Sequence, residues 1–175
     1  CWGWADALGP TLRILAPIKI SGAPEFVTLA LGGTDCGLTR DGAVYCLGGF
    51  ESVWRRVPFA PAFVSLAQGH SEPDPKPNPA HACALTAQGI AHCWGGNSLG
   101  QLGTGDLMAR PTPTPVAGGH VFSTLAVGGE SSCGVTVAGE AYCWGVNTEG
   151  QLGIGTKSPF GPPVQVPTRV LDPLR

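Results

Sequence analysis

Apolar and polar residues alternate with a period of two through most of this chain, and the alternation is broken every few positions by glycine, which predicts short β-strands and tight turns. In Cys36 to Cys46 the run C-G-L-T meets A-V-Y-C across Arg40-Asp41-Gly42, a three-residue loop whose final glycine suits the left-handed position of a G1 bulge. Pairing outward from Thr39 opposite Ala43 sets Leu38 against Val44 and Cys36 against Cys46, all four on one face. Cys36 and Cys46 then occupy a non-hydrogen-bonded pair, where opposing side chains approach most closely. No helical period persists beyond a turn or two, so the chain reads as all-β.

The hairpin is repeated. Residues 83 to 105 (CALTAQGIAHCWGGNSLGQLGTG) and 133 to 155 (CGVTVAGEAYCWGVNTEGQLGIG) carry the same residue types at the same offsets, and Gly42, Gly89 and Gly139 lie 47 and 50 residues apart. Repeats of about 40 to 50 residues are the mark of propeller blades or solenoid units. A second strand type recurs as F-V-T-L-A-L-G-G from Phe26, F-V-S-L-A-Q-G from Phe63 and F-S-T-L-A-V-G-G from Phe122. Its Leu-Ala-x-Gly end puts small residues where neighbouring strands would crowd near a propeller axis. The expected core is Leu38, Val44, Leu85, Val135 and the Leu-Ala pairs at 29–30, 66–67 and 125–126, with Trp94 and Trp144 at equivalent places.

The units are unequal. Residues 1–25 read as a degenerate unit with a strand around Leu12 to Ile20, followed by units at 26–62, 63–121 and 122–175. Leu47 to Trp54 lacks the N-x-x-G-Q-L-G-x-G turn, so that blade should be trimmed on one edge. The unit at 63–121 carries an insertion at 71–80 with proline at every second position, expected to be extended and exposed. The Pro-rich segments Arg110 to Pro115 and Ser158 to Pro167 suit outermost strands, where a missing N–H is tolerated. The chain opens at Cys1-Trp2-Gly3, which matches the C-W-G at 93–95 and 143–145, so it reads as beginning inside a repeat.

Composition adds limits. Hydrophobic residues make up 43% of 175, enough for a core, and charge is sparse at 13% with a net of -2. No Lys/Arg run or basic tail marks a nucleic-acid or acidic membrane surface, and no apolar run approaches the roughly 18 residues of a membrane span. Seven cysteines resolve into Cys36 with Cys46, Cys83 with Cys93, Cys133 with Cys143, and the unpaired Cys1. Without a C-x-x-C, zinc and thioredoxin-like chemistry are poorly served. Cross-hairpin disulfides, which would place the chain in an extracellular, periplasmic or cell-surface setting, stand against the alternative of small buried thiols in a reducing cytoplasm.

The segments Cys83 to Gly105 and Cys133 to Gly155 closely resemble the repeat of the regulator of chromosome condensation family, including its bacterial and α-tubulin-suppressor-like members. The resemblance implies a β-propeller of four-stranded blades, usually seven. Seven would need about 350 residues, so this chain would hold an incomplete propeller of about three to three and a half blades. The family's best-known activity, guanine nucleotide exchange on the small GTPase Ran, belongs to one face of a complete propeller, and no residue here carries over to it. Trp94, Gly95, Asn97, Gly100, Gln101, Leu102 and Gly103 read as turn framework, in which Asn and Gln bond backbone and Gly permits positive φ.

The search for chemistry finds no catalytic, cofactor or metal set. His92 aligns with Tyr45 and Tyr142 as a strand residue, while His70 and His81 flank the proline insertion, where they could meet as a metal pair but are more simply solvated loop residues. The expectation is therefore a non-enzymatic scaffold for an unidentified protein partner, without nucleic acid or membrane; Asp74, Lys76 and Asn78 of the insertion are the candidate contacts, against the alternative of a tolerated surface insertion with no partner. Uncovered blade faces invite self-association. The alternative is a regulator of another enzyme, acting by nucleotide exchange on a small GTPase or by inhibition of a secreted enzyme.

Overall fold

The computed structural model describes residues 3–4, 13–14, 23–32, 34–47, 53–69, 80–159 and 161–171. Among the described residues there are fourteen strands and no helix. A two-stranded ladder joins β1 (Gly3–Trp4) to β2 (Arg13–Ile14), and the rest of the strand expected from Leu12 to Ile20 lies outside the described residues. Three four-stranded antiparallel sheets follow in simple up-and-down order. The first blade holds β3 (Phe26–Ala30), β4 (Cys36–Thr39), β5 (Val44–Leu47) and β6 (Trp54–Arg56). The second holds β7 (Phe63–Gln68), β8 (His81–Thr86), β9 (Ala91–Gly95) and β10 (Arg110–Pro115). The third holds β11 (Phe122–Val127), β12 (Ser131–Thr136), β13 (Ala141–Gly145) and β14 (Val164–Arg169).

The central hairpins have the register that the alternation demands. Cys36 opposes Cys46 and Leu38 opposes Val44, as Cys83 opposes Cys93 and Cys133 opposes Cys143. Each turn closes on a glycine at positive φ, 83° at Gly42, 76° at Gly89 and 81° at Gly139, the conformation a Cβ would penalise. The proline-rich strands β10 and β14 lie at sheet edges, where their missing N–H groups cost no ladder bond. In the first blade the edge strand β6 is only three residues long against six in β10 and β14.

Each blade packs one face against the next. The Cys36, Leu38 and Val44 face of the first blade meets Phe63, Leu66, Ala82, Ala84 and Trp94 of the second. The Cys83, Leu85 and Cys93 face of the second meets Phe122 and Trp144 of the third. This handing-on explains where the expected core is right and where it needs correction. Leu38, Val44, Leu66 and Leu85 are buried, but Leu29 is 51% exposed and Val135 is 38% exposed. Leu29 sits on the first blade's leading face and Val135 on the third blade's trailing face, and among the described residues no other blade packs against either. Ala126, on the same trailing face as Val135, is exposed as well.

Trp94 and Trp144 do occupy equivalent positions, opposite Ala82 and Ser132, each with the Phe of the first strand 6.0 Å from its ring. The first blade has Leu47 at that place. Its aromatic comes instead from the adjoining edge strand, where Trp54, paired with Leu47, lies 4.6 Å from the Phe26 ring.

Candidate protein-interaction surface

The backbone separates the blades into two chemically distinct ends. At one, the third strand is tied to the loop between the first and second strands by Leu47 N–H to Asp35 O (2.8 Å), Gly96 N–H to Ala80 O (3.2 Å) and Val146 N–H to Glu130 O (3.0 Å). Those loops and the long turns between third and fourth strands therefore share that end. The hairpin turns and blade-to-blade connectors share the other, where Phe63 N–H reaches Gly42 O and Phe122 N–H reaches Gly89 O, both at 2.9 Å.

At the loop end the first strands converge through glycine. A Cβ on Gly32 would fall 2.6 Å from Gly69 O, and one on Gly69 would fall 1.9 Å from Gly128 O, so neighbouring blades touch backbone to backbone. The insertion leaves from this line of contacts. Gly69 N–H donates to His81 O at 3.1 Å, which fixes both ends of the segment. Asp74, Lys76 and Asn78, together with His70, lie outside the described residues.

Beside it stand the two glycine-rich turns. Asn97, 1% exposed, donates its amide to Asp106 O (2.9 Å) and Met108 O (3.1 Å) and accepts from Leu102 N–H (3.0 Å). Asn147 repeats this with Thr156 O (2.8 Å) and Leu152 N–H (3.2 Å), and the Gln101 and Gln151 carbonyls cap Leu99 and Glu149 N–H at 2.9 Å. These side chains supply hydrogen bonds that a glycine-rich backbone cannot make for itself. The backbone N–H of Met108, followed by the Arg110 and Thr104 side chains, holds the Asp106 carboxyl below the usual carboxylate range. Leu107 and Met108 project from the same turn, 42% and 67% exposed.

His81 corrects its expected role. It is a buried residue of β8, not a solvated loop histidine, and its Nε2 lies 2.8 Å from Ser132 Oγ in the third blade. Ser132 donates its hydroxyl proton to Gln101 O at 2.9 Å, so the histidine must be the Nε2–H tautomer donating to the serine. A serine nucleophile needs the opposite polarity, with histidine accepting. The pair therefore acts as a rivet between blades. Nδ1 has no hydrogen-bond partner among the described residues, and burial lowers the imidazole pKa to about 4. His92 is an ordinary strand residue, edge-on to Phe63 at 5.6 Å, as Tyr45 is to Phe26 and Tyr142 to Phe122. Sequence reading could not find the His81 and Ser132 contact, because the two are 51 residues apart and meet only through blade stacking.

The cysteines of each hairpin stand at disulfide distance, with Cα separations of 4.0 Å for Cys36 and Cys46 and 4.1 Å for Cys83 with Cys93 and Cys133 with Cys143. No group of three or more His, Cys, Asp or Glu among the described residues is placed to hold a metal ion.

Four-stranded antiparallel blades, stacked face to face around converging first strands, define a β-propeller architecture of which this chain forms an arc. The regulator of chromosome condensation (RCC1) repeat matches residues 138–174, and a second model of that repeat matches 79–101 and 122–151. RCC1-like repeats thus account for residues 79–101 and 122–174, in the second and third blades. Its fold is similar to human WBSCR16 (20% identity, TM-score 0.76, 98% of this chain and 47% of that one). It is similar also to Prp20p from Saccharomyces cerevisiae, in a structure described with its binding to Gsp1p and histones (20% identity, TM-score 0.68, 87% and 40%). A third likeness is yeast RCC1 (Prp20) bound by Kap60 (21% identity, TM-score 0.70, 94% and 40%). The chain thus spans less than half the length of these structures, and at such identities the likeness speaks for the fold alone.

Proposed function

We propose that this chain is a non-enzymatic propeller scaffold that binds another protein through the end carrying the strand-connecting loops and the glycine-rich turns. The observation that carries this reading is the rigid seat of the insertion. Its ends are held by the Gly69 to His81 bond and by the glycine contact with the third blade, while the proline at every second position limits the entropy lost on binding. Asp74, Lys76 and Asn78 are the contact residues in this reading, with Leu107 and Met108 offering apolar surface on the neighbouring turn. The reading is supported by the yeast structures of similar fold, one described with its binding to Gsp1p and histones and the other bound to Kap60.

The experiment is deletion of residues 72–79. Stability should hardly change, since surface loops tolerate length changes cheaply, and the partner recovered by the intact chain from its native host should be lost. An unchanged set of recovered proteins overturns the assignment.

A second reading, regulation of another enzyme, is favoured in one of its forms by the cysteine geometry. Three hairpin pairs at disulfide distance support an oxidising compartment, which fits inhibition of a secreted enzyme better than exchange on an intracellular GTPase. Peptide mapping without reduction should recover three cross-linked hairpins from natively purified protein; six free thiols would instead favour the cytoplasm.

A further inference from the structure

The connector between the first two blades holds an aromatic side chain that the fold does not use. Val57 N–H donates to Val44 O at 2.8 Å and Phe63 N–H to Gly42 O at 2.9 Å, so both ends of the segment are pinned beside the first hairpin turn. Pro58 and Phe59 form the bend between them. Phe59 is 92% exposed, the most exposed large apolar side chain among the described residues, and its backbone is left-handed, with φ at 53°.

The next connector shows what the backbone requires at that place. Val116 N–H donates to Ala91 O and Phe122 N–H to Gly89 O, each at 2.9 Å, so residues 116–122 repeat the path of 57–63 at equal length. Phe59 then corresponds to Gly118, whose φ is 91°. A Cβ penalises the left-handed region, and no burial of the ring offsets that strain. The first blade therefore keeps a strained, solvated phenylalanine where the second uses glycine.

Rigidity and charge define what such a side chain can meet. Pro58 and Pro61 bracket the ring while Val57 and Ala60 pack on the core, so little freedom is lost when the ring is captured. Arg40 of the hairpin turn and Arg56 of β6 are exposed alongside. Between them stands one carboxylate, that of Asp41, which Thr39 holds at 2.5 Å and whose pKa is lowered by that bond and by Arg56. A single projecting ring calls for a concave apolar pocket, and the excess of positive charge beside it calls for acidic groups at the rim. A lipid surface is a poorer match, since one ring stands there with a carboxylate close by.

We propose that Phe59 anchors a protein partner on the hairpin-turn end, its ring entering an apolar pocket rimmed by acidic side chains that meet Arg40 and Arg56. The position lies between two blades and on the end opposite the insertion, so this contact is separate from the one proposed for Asp74, Lys76 and Asn78.

The test reads the fold and the contact separately. Phe59→Asn introduces a residue that tolerates left-handed backbone, so its urea midpoint should stand at or above that of the unsubstituted chain. A lower midpoint would mean that the ring serves the fold, and would overturn the proposal. Phe59→p-benzoylphenylalanine, irradiated in the native host, should cross-link one dominant protein. That protein, purified, should bind the unsubstituted chain at least about tenfold more tightly than Phe59→Asn, and Arg40→Glu or added salt should weaken the complex. No cross-link from position 59, a cross-linked protein that binds Phe59→Asn as tightly as the unsubstituted chain, an affinity that neither Arg40→Glu nor salt moves, or binding to phosphatidylserine vesicles that Phe59→Asn abolishes would each overturn it.

Discussion

Trp144 donates its indole N–H to the backbone carbonyl of Gln101, 2.9 Å away in the preceding blade, and Ser132 donates to the same oxygen at the same distance. The ring lies flat on Gly103, where a Cβ would come within 2.8 Å of it. Trp94, the same residue one blade earlier, faces a unit whose sequence lacks the glycine-rich turn, and it is 7% exposed where Trp144 is fully buried. Trp144→Phe should therefore lose both a buried hydrogen bond and ring packing, about 2 to 3 kcal/mol. Trp94→Phe should cost about half as much. Urea midpoints of the two variants check the ordering, and equal losses would contradict it.

Gly69 and Gly128 touch, yet they should respond differently to the same substitution. A Cβ on Gly69 would lie 1.9 Å from Gly128 O, a backbone atom that moves only if the blades part, whereas a Cβ on Gly128 finds its nearest neighbours at 3.5 Å. Gly69→Ala should destabilise by roughly 3 kcal/mol or more, an overpacking cost at the blade junction. Gly128→Ala should be close to neutral. Thermal unfolding of both variants measures the contrast.

These contacts mark how far the sequence could be read. Period-two alternation together with the glycine at 42, 89 and 139 determines the hairpin register, because a slip of one residue would turn every side chain to the wrong face. The Leu-Ala-x-Gly motif likewise indicates close backbone approach at Gly32 and Gly69. Cover, in contrast, is a property of the neighbouring blade. Leu29 and Val135 have the same local pattern as Leu66 and Leu85, and nothing within their own strands distinguishes an interior face from a terminal one. The aromatic replacement by Trp54 and the contact of His81 with Ser132 were hidden for the same reason, since one depends on pairing across an irregular turn and the other on stacking between blades.

His81 should make the junction between the second and third blades sensitive to acid. Burial lowers its pKa from the ordinary 6.5 to about 4. Above pH 6.5 the imidazole is neutral in folded and unfolded chains and exerts no effect. Between that pH and about 4 the unfolded chain takes up a proton that the folded chain does not, so stability falls as pH falls, by roughly 3 kcal/mol in all. Unfolding midpoints at pH 7 and pH 5 should differ in the parent and differ less in His81→Leu. An unchanged pH dependence in the variant would remove His81 as its source.

The amide of Asn97 provides a sharper test of the turn than simple deletion does. Its Nδ2 faces two carbonyl oxygens, those of Asp106 at 2.9 Å and Met108 at 3.1 Å, while its Oδ1 accepts from Leu102 N–H. Asn97→Ala removes these bonds together with the longer ones to Thr104 Oγ1 and Asp106 Oδ1, and should cost about 2 to 3 kcal/mol. Asn97→Asp keeps the acceptor but sets a buried carboxylate oxygen against the two carbonyls, replacing attraction by repulsion in a site with 1% exposure. At neutral pH the aspartate variant should therefore be less stable than the alanine variant, and the gap should narrow in acid as the carboxyl becomes a donor. At Asn147 the amide faces a single such carbonyl, that of Thr156 at 2.8 Å, so the same exchange should be milder. Chemical denaturation of the four variants at two pH values decides the matter: an Asn97→Asp chain as stable as Asn97→Ala at neutral pH would mean that the amide is not the group holding the turn.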